Sequence, residues 1–100
     1  MPRLSIETSH NLDEQEALRR LTGKFVELKD TYRDQFSDLR EEWDGNSLAF
    51  SFKAAGMKIA GKAQLRGSQV KLDADLPLAA TLFKSMIHAR VSEELASLLA

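Results

Sequence analysis

From Leu48 to Leu76 apolar and polar residues alternate, and that alternation narrows the folds open to the chain more than any other feature. Leu48, Phe50 and Phe52, then Met57, Ile59, Gly61, Ala63 and Leu65, then Val70, Leu72, Ala74 and Leu76 fall on one side. Lys53, Lys58, Lys62, Gln64, Arg66, Lys71, Asp73 and Asp75 fall on the other. A period of two with a single oily face predicts half-buried antiparallel strands. A two-residue loop at Ala55-Gly56 sets Phe52 opposite Ile59 and Phe50 opposite Gly61. A loop at Gly67-Ser68 sets Leu65 opposite Val70 and Ala63 opposite Leu72. Both registers keep apolar residues together, as cross-strand partners require.

The flanking segments supply two amphipathic helices and two further strands. Leu4 and Ile6 alternate with Arg3, Ser5 and Glu7, predicting a short first strand that ends near Thr8, with Pro2 confined to its start or to an edge. Asp13 followed by Glu16 reads as a capping box, with Leu12 and Ala17 as its staple. Leu18, Leu21, Phe25, Leu28, Tyr32 and Phe36 then trace one stripe along a helix of about 23 residues that ends near Gln35. Leu39 and Trp43 mark a second strand, and Asp44-Gly45-Asn46 a turn. If Asp44 and Gly45 form that loop, Glu41 faces Leu48 on the inner side. Such a carboxylate reaches water through a frayed or bulged strand, anchors a ligand in a cavity, or is held in a buried pair. Pro77 suits a first helical turn, and an apolar helix is expected from there almost to Ala100.

The predicted order is therefore β-α-β-β-β-β-α: a two-layer α+β domain over residues 1–100, with an antiparallel sheet of about five strands and two helices packed on one face. One hundred residues make one domain. A formal net charge of -1 excludes bulk attraction to nucleic acid or to an anionic membrane. With no cysteine there is no thiol nucleophile, thiolate metal site or disulfide. The N-terminus lacks the apolar core of a secretory signal, and no run approaches a membrane span, so a cytoplasmic protein is expected.

Chemistry-bearing patterns are sparse. His10 and His88 sit in different elements, without carboxylates at metal-ligand spacing, and read as a junction residue and a core-rim residue. Ser, His and Asp occur without a nucleophile elbow, and the glycines lie between strands rather than leading into a helix. The expectation is no catalytic residue, no metal and no cofactor.

Two surfaces stand out. Lys53, Lys58, Lys62, Arg66 and Lys71 fall on the outer sheet face with no acidic residue among them in the sequence, a face that could meet an anionic partner or RNA. It lacks the exposed aromatic platforms of single-strand binders. The second helix carries Phe83, Met86 and Ile87, candidates for contact with an apolar partner, a ligand or a second copy.

The chain also resembles a family, the small polyhydroxyalkanoic acid system proteins. The matching elements are His10-x-Leu12 with Glu16-Ala17, Trp43-Asp44-Gly45-Asn46-x-Leu48-x-Phe50, Gly56 followed by Gly61, Val70-x-Leu72, the Leu76 to Leu82 segment and the amphipathic tail. The resemblance covers almost the whole chain. It implies association with the synthesis, storage or turnover of bacterial polyester granules. The leading expectation is a non-enzymatic accessory or structural protein that binds a protein partner or the granule surface. The alternatives are a small hydrophobic or acyl ligand-binding module and a catalyst of unassigned type. A binding module would keep a cavity of roughly 300 Å³ or more between its layers, whereas a surface-acting protein would show an exposed apolar patch.

Overall fold

A computed structural model describes residues 3–100, so the position of Pro2 lies outside the described residues. The elements follow the predicted order: β1 (Arg3–Ser9), α1 (Glu14–Thr31), β2 (Ser37–Asp44), β3 (Ser47–Ala54), β4 (Met57–Arg66), β5 (Gln69–Asp75), a 3-10 turn (Leu78–Phe83) and α2 (Lys84–Leu98). The strands form one antiparallel sheet in the order β1-β5-β4-β3-β2. Placing β1 beside β5 closes the chain's first strand onto its last.

The expected registers are present: Phe52 faces Ile59, Phe50 faces Gly61, Leu65 faces Val70 and Ala63 faces Leu72. Ala55 and Gly56 both take positive φ, 53° and 77°, as a type I′ hairpin loop demands. Gly61 is needed for space rather than for its dihedrals. A Cβ there would lie 2.6 Å from the Phe50 ring and 2.7 Å from the Asp73 carbonyl oxygen. On β1, Leu4 faces Ala74 and Ile6 faces Leu72, so the buried residues of all these strands share one face. Both helices lie on that face. Ile87, Val91 and Leu95 of α2 pack on Leu4, Ile6, Ala74 and Leu76, while Ala17, Leu18 and Leu21 of α1 belong with Leu65, Val70 and Leu99.

Three boundaries differ from expectation. The β2–β3 loop is Gly45-Asn46, with Asp44 paired to Ser47; Glu41 therefore stands opposite Phe50 instead of Leu48. The pairing slips by an even number of residues, so Glu41 keeps the inner face. Helix α1 ends at Thr31, and Tyr32 to Gln35 make a turn closed by the Gln35 N–H donating to the Tyr32 carbonyl at 2.8 Å. Asp30 and Asp34 set negative charge at the end of a helix whose last carbonyls are already negative, which disfavours continuation. The final helix opens as a 3-10 turn, in which no residue is fully buried and only Ala80 packs against the core. With little to bury, that segment lacks the packing that would favour a wider α-turn.

Candidate apolar cleft and ridge

The two helices run in opposite directions and meet at only one end of the sheet. The β2–β3 and β4–β5 loops mark that end, where Asp44 pairs with Ser47 and Arg66 with Gln69. There the Asp13 carboxylate accepts the Glu16 N–H at 2.8 Å and caps α1, half of the expected capping box. Glu16 turns instead to Arg19 and Arg20, at 2.6 and 2.7 Å, and these guanidiniums hold its carboxyl at a pKa of about 2, below the ordinary 4.5. Arg20 also donates to the carbonyls of Leu98 and Ala100, clamping the end of α2 onto α1. Glu14 accepts from Asn46 Nδ2 at 2.6 Å and from the Gly67 N–H at 2.8 Å, which ties the helix start to both loops. Neither Glu14 nor Arg20 stood out in the sequence, because each contact joins residues far apart in the chain.

At the opposite end the helices diverge. Beyond the Lys24–Glu94 pair at 3.8 Å, no hydrogen bond or ion pair among the described residues joins the second half of α1 to the first half of α2. The floor between them is the inner sheet face, and its wall on the β2 side is aromatic. Phe25 packs edge-on to Trp43 at 6.2 Å and lies 6.4 Å from Phe50; Phe50 stacks on Phe52 at 6.3 Å; Phe36 meets Phe52 at 5.9 Å. Lys29 stands over Phe25 at 5.2 Å and reaches Glu41 at 3.0 Å. Glu41 thus reaches water, as the bulged-strand alternative expects: the β2–β3 pairing is irregular between Ser37 and Arg40, just before it, and no ligand cavity among the described residues encloses it. It is half of a partly exposed ion pair at the mouth of the cleft.

The other wall is the 3-10 turn and the start of α2. Phe83 and Met86 are 54% and 64% exposed, and Ile87 is half-buried against the core. Leu78 and Leu82, at 79% and 90% exposed, extend the same ridge. The stripe of the final helix is thereby divided: Ile87, Val91 and Leu95 face the sheet, whereas Leu78, Leu82, Phe83 and Met86 face solvent. A hollow of about 350 Å³ lies along Met86, Ile87, Arg90 and Val91, open to solvent.

The outer sheet face carries Lys53, Lys58, Lys62, Arg66 and Lys71, as the alternation requires. Neighbouring strands bring acids among them. Lys53 pairs with Asp38 at 3.4 Å, Lys71 with Glu7 at 4.0 Å, and Lys62 stands opposite Asp73, which accepts from the Ser5 hydroxyl at 2.7 Å. Lys53 and Lys58 stand directly opposite each other. A shallow hollow of about 230 Å³ on this side is lined in part by Arg3, Lys62, Asp73 and Asp75.

His10 is 5% exposed at the β1–α1 junction, where its backbone N–H donates to the Ser68 carbonyl at 2.8 Å and its ring Nδ1 accepts the Leu12 N–H at 3.1 Å. An accepting Nδ1 puts the proton of the neutral ring on Nε2, which is buried without a partner. His88 lies exposed on α2 with Ser92 Oγ 3.5 Å from its Nδ1. The two histidines do not converge. No group of three His, Cys, Asp or Glu residues among those described could hold a metal ion. What the arrangement offers is apolar area at an open cleft rather than converging reactive groups.

The family described as "Putative polyhydroxyalkanoic acid system protein" matches residues 4–99. The chain belongs to this family. Membership associates it with the polyhydroxyalkanoic acid system and agrees with the resemblance carried by its own motifs. No curated protein matches the sequence. The crystal structure of TTHA0849 from Thermus thermophilus is similar over 98% of this chain and 92% of that one, at 15% identity and a TM-score of 0.34. A likeness that slight carries no argument about ligand or activity. No helix among the described residues is long and apolar enough to cross a membrane.

Proposed function

We propose that this member of the polyhydroxyalkanoic acid system is a non-enzymatic accessory protein that binds the polyester granule, or a protein on its surface, through the ridge running from Leu78 to Met86. The observation that carries the reading is the exposure of Leu78, Leu82, Phe83 and Met86 along one short stretch. Clustered apolar side chains on a small protein mark a contact surface, because leaving them in water costs about 25 cal/mol per Å². Phe83 and Met86 are the contact residues proposed here, with Ile87 anchoring the ridge to the core. A granule offers a water-excluding polymer face that such a ridge can wet without a shaped pocket. On this reading the protein works at granules in the bacterial cytoplasm.

Co-sedimentation with washed polyhydroxybutyrate granules tests it. The wild type should pellet with the polymer, and Leu82→Asp/Met86→Asp should lose at least about tenfold in bound fraction, since both side chains are mostly exposed and their loss spares the core. Equal binding by the two proteins would refute the ridge as the contact.

A second reading is a small acyl ligand lying along Met86, Ile87 and Val91 with its carboxylate on Arg90. The volume of that hollow, about 350 Å³, is within the range of small-molecule sites, and its openness counts against the reading. A fluorescent fatty acid that binds wild type and Arg90→Ala equally would exclude it. Engagement of an anionic partner by Lys58, Lys62 and Arg66 is a weaker proposal, since Asp73, Asp38 and Glu7 share that face.

A further inference from the structure

The molecule exposes more surface than its size calls for. Its accessible area is 6784 Å², whereas a compact monomer of 11.2 kDa exposes about 5,700 Å². The chain is not extended, for its radius of gyration is 13.3 Å against about 13 Å for a domain of this length. The excess of about 1,100 Å² is of the same order as the roughly 800 Å² each partner contributes to a stable protein–protein interface. Part of that surface is at the open end, where Leu78, Leu82, Phe83 and Met86 stand exposed and the cleft aromatics Phe25, Phe50 and Phe52 are only half-buried.

The two walls also differ in charge. From Pro77 to Ser92 the chain carries Lys84, His88 and Arg90 and no acidic residue. From Val26 to Asp38 it carries Glu27, Asp30, Asp34 and Asp38 against Lys29 and Arg33. Lys29 is committed to Glu41, Arg33 and Asp30 to each other, Glu27 to Lys24, Asp38 to Lys53 and Arg90 to Glu94, so among the described residues the charges left over are Asp34 on the rim and Lys84 on the ridge, which are opposite in sign. A ridge and a groove of opposite charge on one molecule are the ingredients of a self-complementary contact.

We infer that in solution a second copy covers this surface, the ridge of each protomer seated in the aromatic cleft of the other about a two-fold axis. Lys84 of each copy then faces Asp34 on the rim of its partner. The inference uses the same ridge as the granule reading but does not depend on granules. It adds that polymer and second copy compete for Leu82 and Met86, so that the dimer is the soluble form and dissociation precedes adsorption.

Sedimentation equilibrium of the full chain at about 100 µM, a range in which functional dimers assemble, should give twice the monomer mass of 11.2 kDa. Leu82→Asp should shift it to monomer, with an unchanged circular dichroism spectrum. Lys84→Glu and Asp34→Lys should each shift toward monomer alone, and an equimolar mixture of the two should recover the dimer, because each ridge again meets a rim of opposite sign. A wild type monomeric at that concentration overturns the inference. So does a dimer indifferent to Leu82→Asp, or charge variants that fail to rescue one another. Granule binding is measured separately, so a wild-type dimer that never pellets with polymer would refute the granule reading alone.

Discussion

The two ends of the sheet are built from the same alternating strands and come out differently. At the end marked by Gly67, α1 and α2 converge and bury Ala17, Leu65, Val70 and Leu99, with Arg20 and Glu14 bonding helix to helix and helix to loop. At the end marked by Gly56 the helices part, and Tyr32, Met57, Leu82, Phe83 and Met86 remain exposed. Alternation guarantees that one face of a strand is apolar; it does not guarantee a helix above every apolar position. Both ends keep a buried cluster, Ala17, Leu65, Val70 and Leu99 at one and Leu4, Ala74 and Leu76 under α2 at the other, but contact surface is left only where the helices part. This division links the fold to the proposed function.

Leucine truncation should separate the ends most sharply. Leu65→Ala at the closed end should cost about 3 kcal/mol in denaturant unfolding, and Leu82→Ala at the open end less than about 0.5 kcal/mol. Similar costs at both sites would mean that the ridge is part of the core. Next in size is Gly61→Ala, at the centre of the sheet. A methyl there meets the Phe50 ring, which can shift, and the Asp73 carbonyl, which is fixed in the ladder, so a loss of about 2 kcal/mol is expected. A neutral result would show that the floor of the cleft yields.

Smaller effects come from charge. Glu41→Gln should change stability by less than about 1 kcal/mol, because its pair with Lys29 is partly solvated. A larger loss in the same unfolding experiment would mean that the cleft mouth is drier than its exposure indicates. At the closed end, an NMR titration should place the Glu16 midpoint near 2, and Arg19→Ala/Arg20→Ala should return it toward 4.5. The sign follows from a folded-state pKa below the unfolded one: the stabilisation from Glu16 is complete above the ordinary carboxyl range and disappears as pH falls through about 2.

Much of this architecture is legible in the residues. Side-chain parity alone assigns faces, which is why the pairing of Phe50 with Gly61 and the inward direction of Glu41 could be read even though the β2–β3 loop lies one residue further on. Asp13 as a cap could be read because the partner is three residues away. The position of a helix over a sheet has no such local signature. Whether Leu82 is covered depends on where α2 crosses, and that is settled by Leu4, Ile6 and Leu76, which draw the helix toward β1 and leave the ridge outside. The same reason hid the burial of His10, which depends on the β4–β5 loop closing over a distant junction.

Hydrogen–deuterium exchange with and without polyhydroxybutyrate granules tests the division of labour most directly. Amides from Leu78 to Met86 should gain protection on adding polymer, while those around Leu65 and Val70, already slow, should keep their rates. Protection that arises elsewhere and bypasses the ridge, or no change at all, would contradict a protein whose buried clusters hold the fold and whose open-end ridge makes the contact.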